Sequence, residues 1–232
     1  MATEEAIVLV GGLGTRLRAV VSDVPKPLAP VAGRPFLAWL LDHLADNGMH
    51  HVVLAAGYLA ELVVDSIGRE WRGMEVNYSI ESSPLGTGGA VRQACGLLRG
   101  DATHLLNGDT FLRYDMSALE QATRTAGSAL GMALARFDDV ARYGAVVCNA
   151  GRVDGFSEKG ERGPGYINAG SYYLTAAALL ALPEDPTFSF EAKVLGPLTE
   201  AGKVCGYAAT SGFIDIGVPE DYLRAQSVFG ST

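Results

Sequence analysis

The stretch VGGLGTRLRAVVSDVPKPLAP, residues 10–30, sets three glycines, two arginines and a lysine directly behind an apolar run, Ala6–Val10. An unbroken apolar run of that length reads as a strand buried on both faces, as in parallel sheets covered by helices. A glycine-rich loop leaving such a strand lies at the carboxyl edge of the sheet, where open α/β sheets bind ligands. Gly11, Gly12 and Gly14 are free to take φ > 0 and to turn backbone N–H groups inward as an anion cradle. The dinucleotide pattern GxGxxG fails, because its third glycine would be Leu17. The P-loop pattern fails too, because no Gly-Lys-Ser/Thr triplet is present. Lys26 is held between Pro25 and Pro27, whose fixed φ values exclude helix and stiffen the segment. A lysine so mounted suits a positioned phosphate clamp, and Arg16 adds a planar fork for phosphate oxygens. The competing reading is a tight turn with solvated arginines.

Working outward, the first half alternates strand and helix patterns. Pro35–Gly48 reads as a helix, with Phe36, Leu37, Leu40, Leu41 and Leu44 on one face and Gly48 as its C-terminal stop. Val52–Ala56, Val76–Ile80 and Thr103–Asn107 read as strands, and Leu59–Trp71 and Ala90–Leu98 as helices. This order implies a sheet with helices on both faces. In the second half, strands are expected near Ala129–Phe137, Ala145–Cys148, Ile167–Leu174 and Val204–Ala209. Helices are expected near Thr175–Leu182, Phe190–Ala201 and Pro219–Val228. No repeat or long linker divides the 232 residues, so one domain over 1–232 is expected, its second half extending the sheet into a smaller β-rich lobe.

Composition narrows the class. Charged residues at 19% and hydrophobic ones at 48% suit a soluble globular protein. No apolar run reaches the roughly 18 residues of a membrane helix. The opening MATEEAIVLV is acidic and unlike a secretory signal. Three dispersed cysteines, Cys95, Cys148 and Cys205, fit reduced thiols of a cytoplasmic protein better than a disulfide frame or zinc site. A net charge of −8 without a basic stripe argues against a nucleic-acid partner. The four histidines show no metal-ligand spacing, and no Ser-His-Asp or Cys-His set can be assembled.

The segment VLVGGLGTRLRAVVSDVPKPLAPVAGRPFL closely resembles the signature of sugar nucleotidyltransferases, the nucleotide-diphosphate-sugar pyrophosphorylases. The resemblance continues through ESSPLGTGGA, LLNGDTF, VDGFSEK, YINAGSYYL and FIDIGVPEDY, covering nearly the whole chain. It is closest to the D-glycero-α-D-manno-heptose 1-phosphate guanylyltransferase branch. One departure is AVVSDV, where many relatives carry Pro-Leu-Thr. The fold implied is α/β, a three-layer Rossmann-like mixed, mostly parallel sheet with a small β-rich sugar-binding lobe. Nucleotide binding is implied for about residues 1–115 and sugar phosphate binding for about 116–232.

The reaction implied is attack of a sugar 1-phosphate oxygen on the α-phosphorus of a nucleoside triphosphate, with release of pyrophosphate. By resemblance, Arg16, Lys26 and Asp109 are catalytic. Leu9, Gly11, Gly12, Gly14, Thr15, Arg16, Glu81, Gly86, Thr87 and Asn107 bind the nucleotide. Gly144, Glu158, Lys159, Asn168 and Asp215 bind the sugar phosphate, and Asp109 with Asp215 holds Mg²⁺. Gly86 and Gly88 would let backbone approach the flat base. Asn168 would bond sugar hydroxyls, or serve as a strand-end residue satisfying backbone; Glu191 resembles a family sugar-site carboxylate, but its preferred reading is the first turn of a helix capped by Ser189. Glu81 points to GTP, because a carboxylate can accept from both N1–H and the amino group of guanine; alternatively, the backbone near Gly86 reads the base. Mannose 1-phosphate, a uridylyl or thymidylyl donor, and a non-catalytic nucleotide-sugar-sensing subunit are the alternatives. A homodimer is one assembly the family allows.

Overall fold

The first apolar run forms β1 (Glu5–Leu9), in which Ala6, Ile7 and Val8 are fully buried. The computed structural model describes residues 2–12, 24–157, 160, 162–217 and 219–230. After β1 come a 3₁₀ turn at Lys26–Leu28, the short hairpin β2 (Pro30–Val31) and β3 (Arg34–Pro35), and α1 (Phe36–Asp46). β4 (His51–Ala56), α2 (Ala60–Ile67), β5 (Glu70–Trp71), β6 (Met74–Ile80), α3 (Gly86–Cys95) and β7 (Thr103–Asn107) complete the first half. Next are β8 (Thr110–Arg113), α4 (Met116–Thr125), β9 (Leu130–Phe137), β10 (Val146–Asn149), β11 (Arg152–Phe156), β12 (Gly165–Leu174) and α5 (Ala176–Leu180). A π-helical turn at Glu191–Leu195 runs into α6 (Gly196–Glu200), followed by β13 (Val204–Tyr207), β14 (Ser211–Asp215) and α7 (Pro219–Gly230).

Ten strands make one mixed sheet in the order β10-β11-β13-β9-β12-β7-β1-β4-β6-β5. The segment β7-β1-β4-β6 is parallel, as is the β9–β13 pair. β12 joins these two regions by antiparallel pairing with β7 on one side and β9 on the other. Strand alternation sorts β1 between two cores: Ala6 and Val8 pack with α1, α2 and α7, and Ile7 packs with α3 and Phe188–Leu195. The sheet is therefore sandwiched between two helical layers, and the carboxyl ends of β1, β4, β6 and β7 share one edge.

Several local expectations change. The helix expected at Leu59–Trp71 stops at Ile67, where Gly68 turns left-handed (φ +78) and lets Glu70–Trp71 fold back on β6. α3 begins at Gly86 rather than Ala90, so the glycine cluster forms its first turn. α4 was not foreseen; its start is fixed by Asp115, whose Oδ1 accepts from the Ala118 N–H at 3.0 Å. The prolines around Lys26 do not exclude every helical form. Leu28 N–H donates to the Pro25 carbonyl at 2.8 Å, closing a single 3₁₀ turn that proline φ values accommodate.

Candidate active site

The carboxyl edge opens into a cavity of about 280 Å³ lined by Leu9, Gly11, Gly12, Lys26, Pro27, Thr87, Asn107, Asp109, Glu191 and Gly217. Beside it lies a second hollow of about 210 Å³, lined by Leu9, Gly11, Gly12, Ala55, Glu81, Pro84, Gly86, Thr87 and Ala90. The two share Leu9, Gly11, Gly12 and Thr87, so one elongated ligand can occupy both.

At the first cavity, Lys26 Nζ contacts Asp109 Oδ2 at 2.5 Å and stands 3.9 Å from Asp215 Oδ1. Asp109 follows β7, whereas Asp215 ends β14. They meet because β14 pairs with β8, matching Asp215 to Thr110, and because Ile216 N–H donates to the Asp109 carbonyl at 3.1 Å. Gly217 closes the arrangement: its N–H donates to Asp215 Oδ1 at 2.7 Å, and an added Cβ would lie 2.9 Å from Lys26 Nζ. Burial pushes the Asp215 carboxyl above the usual range; the Lys26 charge opposes this and the Asp109 charge adds to it.

The donor set fits a hard divalent cation. Two partly exposed carboxylates, one in the turn after β7 and one ending β14, already share one positive group, and oxygen donors are what Mg²⁺ takes. Among the described residues no cluster of three or more His, Cys, Asp or Glu forms a metal site.

Opposite Lys26, the Thr87 hydroxyl donates to Glu191 Oε2 at 2.9 Å and accepts from the Phe190 N–H at 2.9 Å. Ser189 Oγ donates to the same carboxylate and accepts from Ala192 N–H, as the cap reading expected. Yet Glu191 also lines the cavity, so its purely structural assignment is incomplete. Gly217 was missed altogether, and Pro27 was read only as a stiffener of Lys26, not as part of the cavity wall. Gly217 follows an isoleucine in an ordinary-looking turn, and only the tertiary approach of Lys26 singles it out.

Of the expected residues, Leu9, Gly11, Gly12, Lys26, Thr87, Asn107 and Asp109 line the first cavity and Glu81 and Gly86 the second. The anion cradle is not built as expected from Gly11, whose N–H donates to the Ala55 carbonyl at 3.1 Å; only Gly12 of the described pair has positive φ. Gly86 and Gly88 owe their bareness to the protein itself. A Cβ on Gly86 would stand 2.6 Å from the Phe188 carbonyl oxygen, and one on Gly88 would stand 2.1 Å from the Phe188 ring. Gly144, Asn168 and Asp215 line neither cavity, although Asp215 stands 3.9 Å from Lys26, which lines the first. Gly144 closes a turn on the Val140 carbonyl, while Asn168 donates to Tyr172 Oη at 2.7 Å and accepts from Gly170 N–H at 3.0 Å. Gly14, Thr15, Arg16, Glu158 and Lys159 lie outside the described residues.

An α/β sheet with a carboxylate-flanked lysine at its carboxyl edge, beside a second adjoining hollow, suits a nucleotide-handling transferase. Residues 5–230 match the nucleotidyl transferase family, and the chain belongs to it. The chain is 39% identical over 222 residues, 96% of each sequence, to the D-glycero-α-D-manno-heptose 1-phosphate guanylyltransferase of Aneurinibacillus thermoaerophilus. It is likewise 39% identical over 221 residues to the enzyme of that name from Campylobacter jejuni, covering 95% of this chain and 97% of that one. The crystal structure of HddC from Yersinia pseudotuberculosis, also solved as a complex with GMP-PN, superposes with a TM-score of 0.87. Its identity is 35%, over 98% of this chain and all of that one.

Proposed function

We propose that this nucleotidyltransferase transfers GMP from GTP to D-glycero-α-D-manno-heptose 1-phosphate, giving the GDP-sugar and pyrophosphate. The observation that carries the reading is the pair of joined hollows: Glu81 lines one, and Lys26 and Asp109 line the other, with Asp215 3.9 Å from the Lys26 ammonium. Two anionic substrates must meet there. One like-charge contact at about 4 Å costs about 4 kcal/mol at an effective dielectric of 20, so positioning and charge neutralisation dominate the catalysis. Lys26 is read as the clamp on the reacting phosphate, with Arg16 assisting from the glycine-rich loop. Asp109 and Asp215 would hold Mg²⁺, which supplies charge neutralisation to the phosphate oxygens when bound. Leu9, Gly12, Gly14, Thr15, Gly86, Thr87 and Asn107 complete the nucleotide site in this reading, and Glu158 and Lys159 the sugar-phosphate side.

We read 1–232 as one catalytic unit acting in the cytoplasm. No helix of the described residues is long and apolar enough to cross a membrane. The test is a pyrophosphate-release screen crossing nucleoside triphosphates with sugar 1-phosphates in the presence of Mg²⁺. GTP with the heptose 1-phosphate is expected to give the highest kcat/KM. Preference for mannose 1-phosphate would keep the reaction and change the sugar; inactivity throughout would replace the enzyme by a sensing subunit.

A further inference from the structure

We infer that Gly57 is a positioning residue for base selection: its bare Cα is the seat against which the Glu81 carboxylate is held in the second hollow. The inference rests on the reading of Glu81 as the group that meets the base. A Cβ built on Gly57 would stand 2.3 Å from Glu81 Oε1, 3.0 Å from its Cγ and 3.1 Å from its Cδ. Those are its three nearest atoms, and all belong to Glu81. The backbone gives no other reason for glycine here, since Gly57 is not among the residues with positive φ. The neighbouring Gly11 is bare toward the same oxygen, at 3.4 Å. Glu81 Oε2 has its own support, accepting from the Leu85 N–H at 2.9 Å. Each carboxylate oxygen is thus held separately, one by a donor and the other by a gap in the side-chain surface.

The loop cannot retreat to make room for a methyl group. The Ala56 carbonyl accepts from Glu81 N–H at 2.9 Å, and the Gly57 carbonyl accepts from Ala60 N–H at 3.1 Å, leading into α2. Between a pinned backbone and a flexible glutamate, the glutamate yields. Gly57→Ala therefore turns the carboxylate away from its seat and breaks its bond to Leu85, while the fold survives. Guanine offers two adjacent donors to a correctly turned carboxylate; uracil offers one N–H between two carbonyl oxygens, and hypoxanthine lacks the amino group.

The experiment measures kcat/KM for GTP, UTP and ITP in the wild type, Gly57→Ala and Glu81→Ala, with circular dichroism and thermal midpoints for each. In Gly57→Ala the GTP:UTP and GTP:ITP ratios are expected to fall about tenfold or more, the scale of one charge-assisted hydrogen bond, mainly through KM for GTP. Equal losses for all three nucleotides would mean a merely structural role and overturn the inference. Ratios that collapse in Glu81→Ala and persist in Gly57→Ala would overturn it while leaving Glu81 as the base reader. Ratios untouched in both would remove the Glu81 reading itself. Should Gly57→Ala fold poorly, its thermal cost is expected to vanish in the Glu81→Ala background; a cost that persists there also overturns the inference.

Discussion

Between Asp109 and Asp215 the Lys26 ammonium neutralises part of a carboxylate pair that would otherwise repel itself. On the clamp reading, Lys26 should matter most as charge develops on the reacting phosphate. Lys26→Ala is therefore expected to lower turnover about 100-fold or more while changing nucleotide Kd far less. Single-turnover kinetics beside equilibrium binding separates the two, and near-normal turnover in the folded variant would contradict the clamp. Asp109→Asn and Asp215→Asn keep size and remove ligand charge. Each should raise the Mg²⁺ needed for half-maximal rate by at least the roughly 10–100-fold that outer-shell changes cost, and chelator should abolish wild-type activity. Full activity in chelator would rule out the metal role. Lys26 was legible because its proline neighbours marked it as mounted rather than solvated. Gly11 was misread because glycine spacing says where the backbone is bare, not which carbonyl claims its N–H.

Helices and strands with a single packing face were readable, and the misses share a physical origin in contacts distant along the chain. α1 buries the five residues its periodicity selects. By contrast, the glycine cluster opening α3 looks like loop until Phe188 is seen packed on Gly88, which repays the poor helix propensity of glycine. Gly88→Ala should therefore destabilise by about 1–3 kcal/mol despite alanine's better propensity, measured by urea unfolding. β7 and α1 carry a second consequence of packing. Burial lowers His104 to about 4, with Glu120 opposing, and lowers His43 to about 4, with the Arg113 charge helping. The unfolded chain binds these protons near pH 6.5 and the folded chain only near 4. Stability should thus be intact above about pH 6.5, fall through that window, and be fully lost for these groups below about 4. His104→Leu is expected to flatten the acid limb by up to about 1.4 kcal/mol per pH unit. An unchanged slope between pH 6.5 and 4.5 would show that His104 is not the group responsible.

At the scale of the whole molecule, a chain of net charge −8 is proposed to gather two phosphorylated substrates. The described residues at its mouth do not reverse that field: Lys26 stands among Asp109, Asp215 and Glu191, with Glu81 in the adjoining hollow. On the proposed reading attraction is local, acting at short range through Lys26 and a divalent cation. Repulsion acts over longer distances. Salt separates the two ranges, because the Debye length falls from about 30 Å at 0.01 M to about 10 Å at 0.1 M and screens the distant term first. Association of the Mg²⁺ complex of GTP is accordingly expected to speed up as ionic strength rises over that interval, whereas a basic site would show steered association that slows. Dissociation should change less, since close contacts inside a partly buried site are poorly screened. Stopped-flow binding with a fluorescent GTP analogue at fixed free Mg²⁺ reads both rates. An association rate that drops with added salt would overturn this expectation and show that local positive charge at the entrance outweighs the global field.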